Sequence, residues 1–175
     1  MRERVPASHS EGTPTMIGQL TNPEIEQLLR SERVGRIGCW ADGRGYVVPI
    51  TYAFNDGDIY GHSAIGMKVR MMRANPHVCF EVDHIVSQSN WKSVIAWGTY
   101  EELQGDDALA GIERLLAHLG PLVLGVADLP AQKVSAPLVT LAHAILQQGV
   151  VYRIRLTERT GRFELVGSRP GVQPK

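Results

Sequence analysis

The stretch Asp58–Asp83, DIYGHSAIGMKVRMMRANPHVCFEVD, is where this chain shows more than the pattern of a soluble globular domain. Four parts are predicted in chain order: a strand at Asp58–His62, a loop at Ser63–Gly66, a helix at Met67–Arg73 and a strand at Val78–Val82. The first strand follows the turn signal Asn55-Asp56-Gly57. The helix ends at Asn75-Pro76, because a residue before proline is pushed out of the helical conformation.

Lys68 is the unusual residue of this stretch, because it falls in the first turn of the predicted helix. The helix macrodipole places roughly +0.5 charge there and makes a cation unfavourable by about 0.3–1 kcal/mol, whereas Arg73 in the last turn is favoured. His62, Ser63 and Gly66 precede Lys68 around the helix start. Backbone N–H groups, a hydroxyl and an ammonium would converge on one anion in this arrangement, so the spacing predicts an anion site with phosphate as the obvious ligand.

A simpler interpretation of the same residues stays open at this point. Lysines at helix starts are common and are usually just solvated, and Ser63 could be an ordinary N-cap.

The composition limits the possible functions of the chain. At 175 residues it has the size of one domain and can bury roughly 70% of its unfolded surface. Lys plus Arg and Asp plus Glu both number 18, so no net positive field draws in nucleic acid or an anionic membrane. Neither partner is expected.

Cys39 and Cys79 lie in predicted strands without the spacing of a metal site, so no metal is expected and both are predicted to be buried thiols. The polar residues 1–16 lack the apolar core of a signal peptide and are predicted to form a flexible tail. No apolar run approaches the length of a membrane span. A soluble, cytoplasmic protein is expected.

The remaining predicted elements are helices at Leu20–Arg30, Asp106–Leu119 and Ala136–Gln148 and strands at Val34–Ala41, Gly45–Phe54, Ser93–Leu103, Val150–Leu156 and Arg162–Val166. The first helix has Thr21 as its cap and Glu24 completing a capping box. A polar loop is predicted before Ser93, and a turn at Thr157–Gly161. Strands joined by hairpins in a meander, with short helices between them, favour a closed or nearly closed antiparallel barrel with peripheral helices.

Pro49 interrupts the longest predicted strand, in which Tyr46, Val48, Ile50 and Tyr52 would share one face. A proline removes a ladder donor and belongs at a sheet edge or a bulge. The strand is either a plain edge strand or a wall whose backbone is exposed to a flat ligand.

The order of these motifs, from VGRIGCW through YVVPITYAF and the quoted stretch to WKSVIAWGTYEEL, resembles the flavin-binding split-barrel family related to pyridoxamine phosphate oxidase, in its nitroimidazole-reductase-like branch. The resemblance covers roughly residues 20–103 and the closing VVYRIRLTERTGRFE. It implies a mainly β, α+β fold: a six-stranded antiparallel split β-barrel with peripheral helices. One domain would span residues 17–167, with a helical insertion at 104–149 and a tail at 168–175.

The resemblance also implies a cofactor site. FMN would lie between the two subunits of a homodimer, with its phosphate at His62, Ser63 and Lys68. Its ring system would lie along the second strand, at Val48, Pro49, Ile50, Thr51 and Tyr52, and Ser93 would be a further contact. His62 could also protonate a substrate.

The function implied is that of an FMN-dependent oxidoreductase, which passes electrons from NADH or NADPH to a small acceptor such as a quinone or a nitro compound. Vitamin B6 oxidation is not expected, because the C-terminal arginine-and-histidine pattern of the true oxidases is not apparent in residues 150–175. The alternatives are a non-catalytic flavin-binding or sensor protein, the same fold holding haem or a deazaflavin, and an empty barrel that serves as an interaction module.

Overall fold

The computed structural model of the protein describes residues 15–119 and 149–166. Within them, one antiparallel sheet contains eight strands: β1 (Thr15–Gln19), β2 (Val34–Ala41), β3 (Arg44–Thr51), β4 (Ala53–Asn55), β5 (Asp58–Ser63), β6 (His77–Ser87), β7 (Asn90–Glu102) and β8 (Val150–Val166). Three helices, α1 (Asn22–Ser31), α2 (Met67–Ala74) and α3 (Gly105–Leu119), lie around it. None of these helices is long and apolar enough to cross a lipid bilayer.

Helix α1 begins as its sequence predicts. The Glu24 carboxylate accepts hydrogen bonds from the Thr21 backbone N–H at 2.8 Å and from the Thr21 hydroxyl at 2.7 Å. Ile25, Leu28 and Leu29 form the buried stripe of the helix. Helix α1 therefore packs this apolar face against the barrel, as its 3.6-residue periodicity requires.

The strands form three hairpins, β2–β3, β4–β5 and β6–β7, which are combined in the sheet order β3-β2-β6-β7-β8-β5-β4. The strand order is therefore not the predicted meander, because β2 pairs with β6 and β8 separates β7 from β5. The sheet is not closed by hydrogen bonds. Its two ends are nevertheless joined covalently, since β3 and β4 are separated only by Tyr52.

This connection produces the split of the barrel. Strand β3 is hydrogen-bonded only to β2, and the second half of β5 only to β8. The free edges of β3 and β5 approach each other without pairing. The split-barrel class of fold is thus confirmed, with eight strands in the described chain where six were predicted.

Three differences from the predicted elements change the strand count, two by adding a strand and one by merging two predicted strands. Tyr52 and Ala53 are both buried, which breaks the in-out alternation of one long strand into β3 and β4. The turn predicted at Thr157–Gly161 is wrong, because β8 runs unbroken through Gly161. Strand β1 includes Thr15 and Met16, which were assigned to the tail, and pairs with the end of β8.

The polar loop predicted before Ser93 is also wrong. Strands β6 and β7 extend into it, pairing His84 with Lys92 and Ile85 with Trp91. Helix α3 has the predicted bounds to within one residue, and α2 contains the predicted helix. The helix predicted at Ala136–Gln148, most of the insertion and the tail at 168–175 lie outside the described residues.

The main core fills the barrel between its sheet and α1 and α2, with fully buried Leu29, Ile37, Tyr52, Phe80 and Tyr152 among its largest side chains. A second, smaller cluster lies under α3, where Ile112 and Leu115 pack near Tyr60 and Val151. The two clusters together leave the split between β3 and β5 as the opening beside the core.

Candidate functional site

The site begins at the split, where two unpaired strand edges face each other. Val48, Pro49 and Ile50 lie on β3, and His62 and Ser63 lie at the end of β5. An edge strand leaves backbone N–H and C=O groups without a ladder partner, and these groups can bind a ligand. Five of the predicted cofactor residues therefore flank a single opening.

Helix α2 starts directly beyond β5, and its N-terminus lacks the usual acidic or hydroxyl cap. Its N-cap is Gly66, no side chain caps it, and its first turn contains no acidic residue. The first N–H groups of a helix have no intrahelical partner. The N-terminus of α2 therefore offers several free donors and positive partial charge to an anion.

Ser63 is not the N-cap, so this alternative interpretation of the residue is wrong. Its hydroxyl donates a hydrogen bond of 3.0 Å to the carbonyl oxygen of Ala64, three residues before the helix begins. Ser63 remains half-buried beside the opening. Its hydroxyl oxygen still has the capacity to accept a hydrogen bond.

Lys68 is half-buried in the first turn of α2, near the buried thiol of Cys39. Burial lowers the pKa of the Lys68 ammonium below its usual value, and the nearby Cys39 side chain opposes this shift. No carboxylate of the described residues lies within ion-pair distance of it. A partly desolvated cation without a counterion in the described chain favours a bound anion.

The β5 side of the opening is held by close backbone packing that the sequence did not reveal. Gly61 lies against the ring of Tyr152, and Gly149 lies against the backbone of Ser63. A Cβ at either glycine would overlap these atoms. The Tyr152 hydroxyl is buried and has no hydrogen-bond partner in the described structure. These contacts fix the path of the chain at His62 and Ser63. His62 is also held by an interaction of its own.

On the β3 side, the residues alternate between the core and the exterior. Val48 and Ile50 point toward the core, where Ile50 is buried, while Pro49 and Thr51 are exposed. Pro49 lies on an edge strand, as proline chemistry requires. The outward side of β3 thus presents Pro49, Thr51 and unpaired backbone groups.

Tyr52 lies beyond the end of β3 and is 0% exposed. Its hydroxyl donates a 2.9 Å hydrogen bond to the carbonyl oxygen of Leu29, and its N–H donates to the carbonyl oxygen of Arg33 at 3.2 Å. The Tyr52 ring also packs edge-on against Phe80. The side chain of Tyr52 is therefore part of the core and presents no surface to a ligand.

Ser93 is not at the split of the same subunit. It lies on β7, opposite Asp83 of β6 and Arg162 of β8. Pro49 pairs with Arg36, Arg36 with Glu81, and Glu81 with Ile95, two residues from Ser93. Three strand spacings, about 14 Å in all, therefore separate the β3 surface from β7.

Two further features near the site were missed from the sequence. A groove of about 420 Å³ beside α2 is lined by Ala41, Asp42, Arg44, Met67, Arg70 and Met71. A shallow hollow of about 550 Å³ on the outer sheet face includes Trp40 and Trp97. Trp97 is 40% exposed, although large aromatic side chains in strands usually belong to the core, and Trp40 is 57% exposed. Each feature combines residues distant in sequence, which local patterns do not connect.

The geometry fits a ligand with an anionic end and a planar end. The anion would lie at Lys68 and the start of α2, and the planar part along the free edge of β3. The two positions are far enough apart for such a ligand. The Arg44 guanidinium at the start of β3 contacts the Met67 sulfur of α2 at 3.6 Å, and Val48 lies four residues, about 13 Å, further along β3. A flavin carrying a ribityl phosphate has this shape.

The fold and the opening define an antiparallel split barrel with an uncapped helix start at its edge. The family model described as pyridoxamine 5'-phosphate oxidase matches residues 21–163 of this chain. The chain therefore belongs to the pyridoxamine 5'-phosphate oxidase family.

Individual proteins resemble the chain in sequence or in fold. The chain is 32% identical to a FAD-binding protein from Mesorhizobium loti, with a TM-score of 0.66, over 85% of this chain and 98% of that one. It shares the fold, at 17% identity and a TM-score of 0.65, with a structure described as a putative 5-nitroimidazole antibiotic resistance protein from Bacteroides thetaiotaomicron, over 87% and 90% of the two chains. An uncharacterized protein of Rhizobium meliloti (strain 1021) is 34% identical over 84 residues, which are 48% of this chain and 56% of that protein.

Proposed function

We propose that this protein is an FMN-dependent oxidoreductase that passes electrons from a nicotinamide donor to a small acceptor. The observation that carries the proposal is Lys68, a half-buried cation with no carboxylate partner in the described chain, at an uncapped helix start that follows the end of β5. A phosphate supplies the missing counterion, and the free edge of β3 supplies a place for the ring.

The phosphate is assigned to the start of α2. The ammonium of Lys68 and the free N–H groups of the first helical turn donate to its oxygens, and the hydroxyl of Ser63 lies on the β5 side. His62 lies near the end of β5 and is the candidate for positioning or protonating the acceptor. The protonation role of His62 requires an acceptor that reaches it.

The ring system is assigned to the outward side of β3. Pro49 and Thr51 present an exposed surface there, and the unpaired backbone groups of residues 48–51 can bind the polar edge of the ring. Tyr52 contributes by ending β3, since its side chain lies in the core. When bound, the flavin supplies the electron-transfer chemistry, and the protein supplies orientation and electrostatics.

The proposal includes a homodimer, because one subunit provides only part of the ring site. Ser93 lies about 14 Å across the sheet from the β3 surface, too far to contact the same ring edge. A second subunit packed outer face to outer face would bring its own Ser93 to the ring. Val47, Trp40 and Trp97 on this face are exposed apolar residues that such packing would cover.

The relative from Mesorhizobium loti supports a flavin at this position. It is described as a FAD-binding protein and shares 32% identity with nearly its whole length covered. FAD contains the same ring and the same ribityl phosphate as FMN, so the description agrees with the site assigned here.

The direct test is flavin binding by the purified protein and by two lysine variants. Lys68→Ala should weaken FMN binding by about 1.5–3 kcal/mol, which is roughly a 10- to 150-fold rise in Kd, since a hydrogen bond to a charged group is lost. Lys92→Ala is the matched control, because Lys92 lies on β7. Equal affinities of wild type and Lys68→Ala would remove the phosphate assignment, as would a Soret band in place of flavin bands.

Turnover separates the oxidoreductase from a flavin-binding or sensor protein. Anaerobic NADH or NADPH is mixed with the FMN-loaded protein, and bleaching of the flavin absorbance is followed by reoxidation with a quinone and with a nitro compound. Reduction that is no faster than that of free FMN would contradict the catalytic part of the proposal while leaving flavin binding intact.

A further inference from the structure

The groove beside α2 is formed by the β2–β3 hairpin and one face of the helix. Ala41 and Asp42 line it from the hairpin, and Met67 and Met71 from the helix. Its volume of about 420 Å³ exceeds what a single phosphate needs. The groove is therefore large enough for part of an organic ligand.

Two arginines give this groove its charge. Arg44 enters it from β3 and Arg70 from α2, and neither forms an ion pair with a carboxylate of the described residues. Other arginines of the sheet behave differently: Arg36 pairs with Glu81, and Arg153 with Glu101. Among the described residues that line the groove, the only opposing charge is Asp42, whose backbone has a φ of 50°.

We propose that this groove holds the second phosphate and the adenosine of a dinucleotide flavin, so that the site accepts FAD and binds it more tightly than FMN. The proposal rests on the flavin site proposed above. Each guanidinium group can donate two parallel hydrogen bonds to phosphate oxygens. Two arginines that line one groove therefore suit a phosphate ligand.

Continuity with the phosphate position supports FAD as the source of the second phosphate. Met67 lines the groove and is the residue before Lys68, so the two positions are one residue apart on α2 and about 100° apart around it. Arg44 reaches this point directly, with its guanidinium 3.6 Å from the sulfur of Met67. A pyrophosphate that begins at Lys68 would continue into the groove.

The apolar lining suits the remainder of the arm. Met67 is 39% exposed, and Met71 lies beside it one turn further along the helix. Methionine side chains are polarizable and adapt to flat rings. The adenine is therefore assigned to the methionine side of the groove and the phosphate to the arginine side.

The test compares FMN and FAD on the full-length protein by fluorescence titration. The double variant Arg44→Gln/Arg70→Gln should raise the Kd for FAD about tenfold or more, the scale expected for charge-assisted hydrogen bonds, and should leave the Kd for FMN within about twofold. Asp42→Asn should act in the opposite direction and tighten FAD. Arg33→Gln, at the opposite end of β2, is the matched control for loss of charge.

The outcomes separate this proposal from the flavin site on which it rests. Equal Kd values for FMN and FAD in the wild type, or an equal loss for both in the double variant, would overturn the adenosine arm alone. Binding of neither flavin by the wild type would overturn both proposals. If the double variant showed a higher KM for NADPH and an unchanged Kd for FAD, the groove would belong to the donor nucleotide and the proposal would be overturned.

Discussion

Lys68 is placed where its helix gives it no favourable field and where burial disfavours its charge. Its pKa in the folded protein therefore lies below the usual 10.5. In the flavin-free protein, the unfolded chain binds this proton more readily than the folded chain. Stability should consequently rise as pH increases through the window between the lowered pKa and 10.5.

Flavin binding should show the opposite pH dependence through the same residue. The phosphate binds the ammonium form, so FMN affinity should fall as pH rises through the lowered pKa of Lys68. The measurement is the Kd for FMN against pH for wild type and Lys68→Arg. Arginine stays charged over this range, so its profile should be flat; parallel profiles would show that another group causes the fall.

Tyr52 provides a test of which predicted site residues belong to the core. Tyr52→Phe removes the donor to the Leu29 carbonyl, which is then buried without a partner, and should lower the free energy of unfolding by about 1–2 kcal/mol. FMN affinity should not change, because the hydroxyl lies inside the barrel. Urea denaturation and flavin titration measure both quantities, with Tyr46→Phe as the control. A large loss of affinity with unchanged stability would place Tyr52 at the ligand.

The residues that sequence reasoning identified are those whose signal is local. Lys68 stands out against its own helix, and Pro49 against its own strand. Arg44 and Arg70 carried no such signal, because their groove forms only when the β2–β3 hairpin packs against α2. The core position of Tyr52 was hidden for the same reason, since its partner Leu29 comes from α1.

At the scale of elements, the capped helix and the amphipathic stripes were predictable, and the long strands were not. The predicted turn at Thr157–Gly161 contains polar residues and one glycine, but Gly161 is buried against Leu20 and Ile25. Pairing with β7 keeps this segment extended, and the Leu20 N–H donates a 3.0 Å hydrogen bond to the carbonyl oxygen of Gly161. Such long-range pairing overrides the local turn composition, and it also recruits Thr15 and Met16 into β1.

The pair of long strands β7 and β8 depends on Gly98. A register shift occurs between Trp97 and Gly98, and a Cβ at Gly98 would overlap the carbonyl oxygen of Arg155. Gly98→Ala should therefore lower the free energy of unfolding by about 2 kcal/mol or more, since backbone must move to relieve the overlap.

The control for this prediction is Gly45→Ala on β3, where the nearest atom lies 3.7 Å from the new Cβ. It should change stability by only about 0.5 kcal/mol. Thermal or urea unfolding of the two variants gives the comparison. Similar stabilities of both would mean that the bulge relaxes without cost.

At the scale of the whole molecule, the split follows from the chain path. One segment supplies both ends of the sheet, because β3 pairs with β2 and β4 pairs with β5 on either side of Tyr52. The sequence predicted a strand at Gly45–Phe54 with an irregularity at Pro49. It did not predict that the two parts of this segment, β3 and β4, would lie at opposite ends of the sheet. The opening for the ligand is a consequence of topology that no single motif encodes.

The outer face of the sheet is where a second subunit is expected to pack. Val47, Gly38, Cys79 and Trp97 lie in one row across four strands. Val47 is 68% exposed, and Trp97 borders the hollow beside it. An apolar row of this kind on a sheet face is typical of an interface core.

Trp97→Arg should therefore produce monomers and weaken FMN binding together. An arginine buried at the interface without a partner costs several kcal/mol, so the dimer Kd should rise about tenfold or more. Sedimentation equilibrium gives the association state, and flavin titration gives the affinity. Met16→Arg is the control, since Met16 is also exposed, at 57% against 40% for Trp97, but lies on β1, outside this row. Ser93 of the second subunit is assigned to the ring, so monomers of the variant that retained full FMN affinity would show that one barrel completes the site alone. A wild-type protein that is monomeric with flavin bound would overturn the dimer.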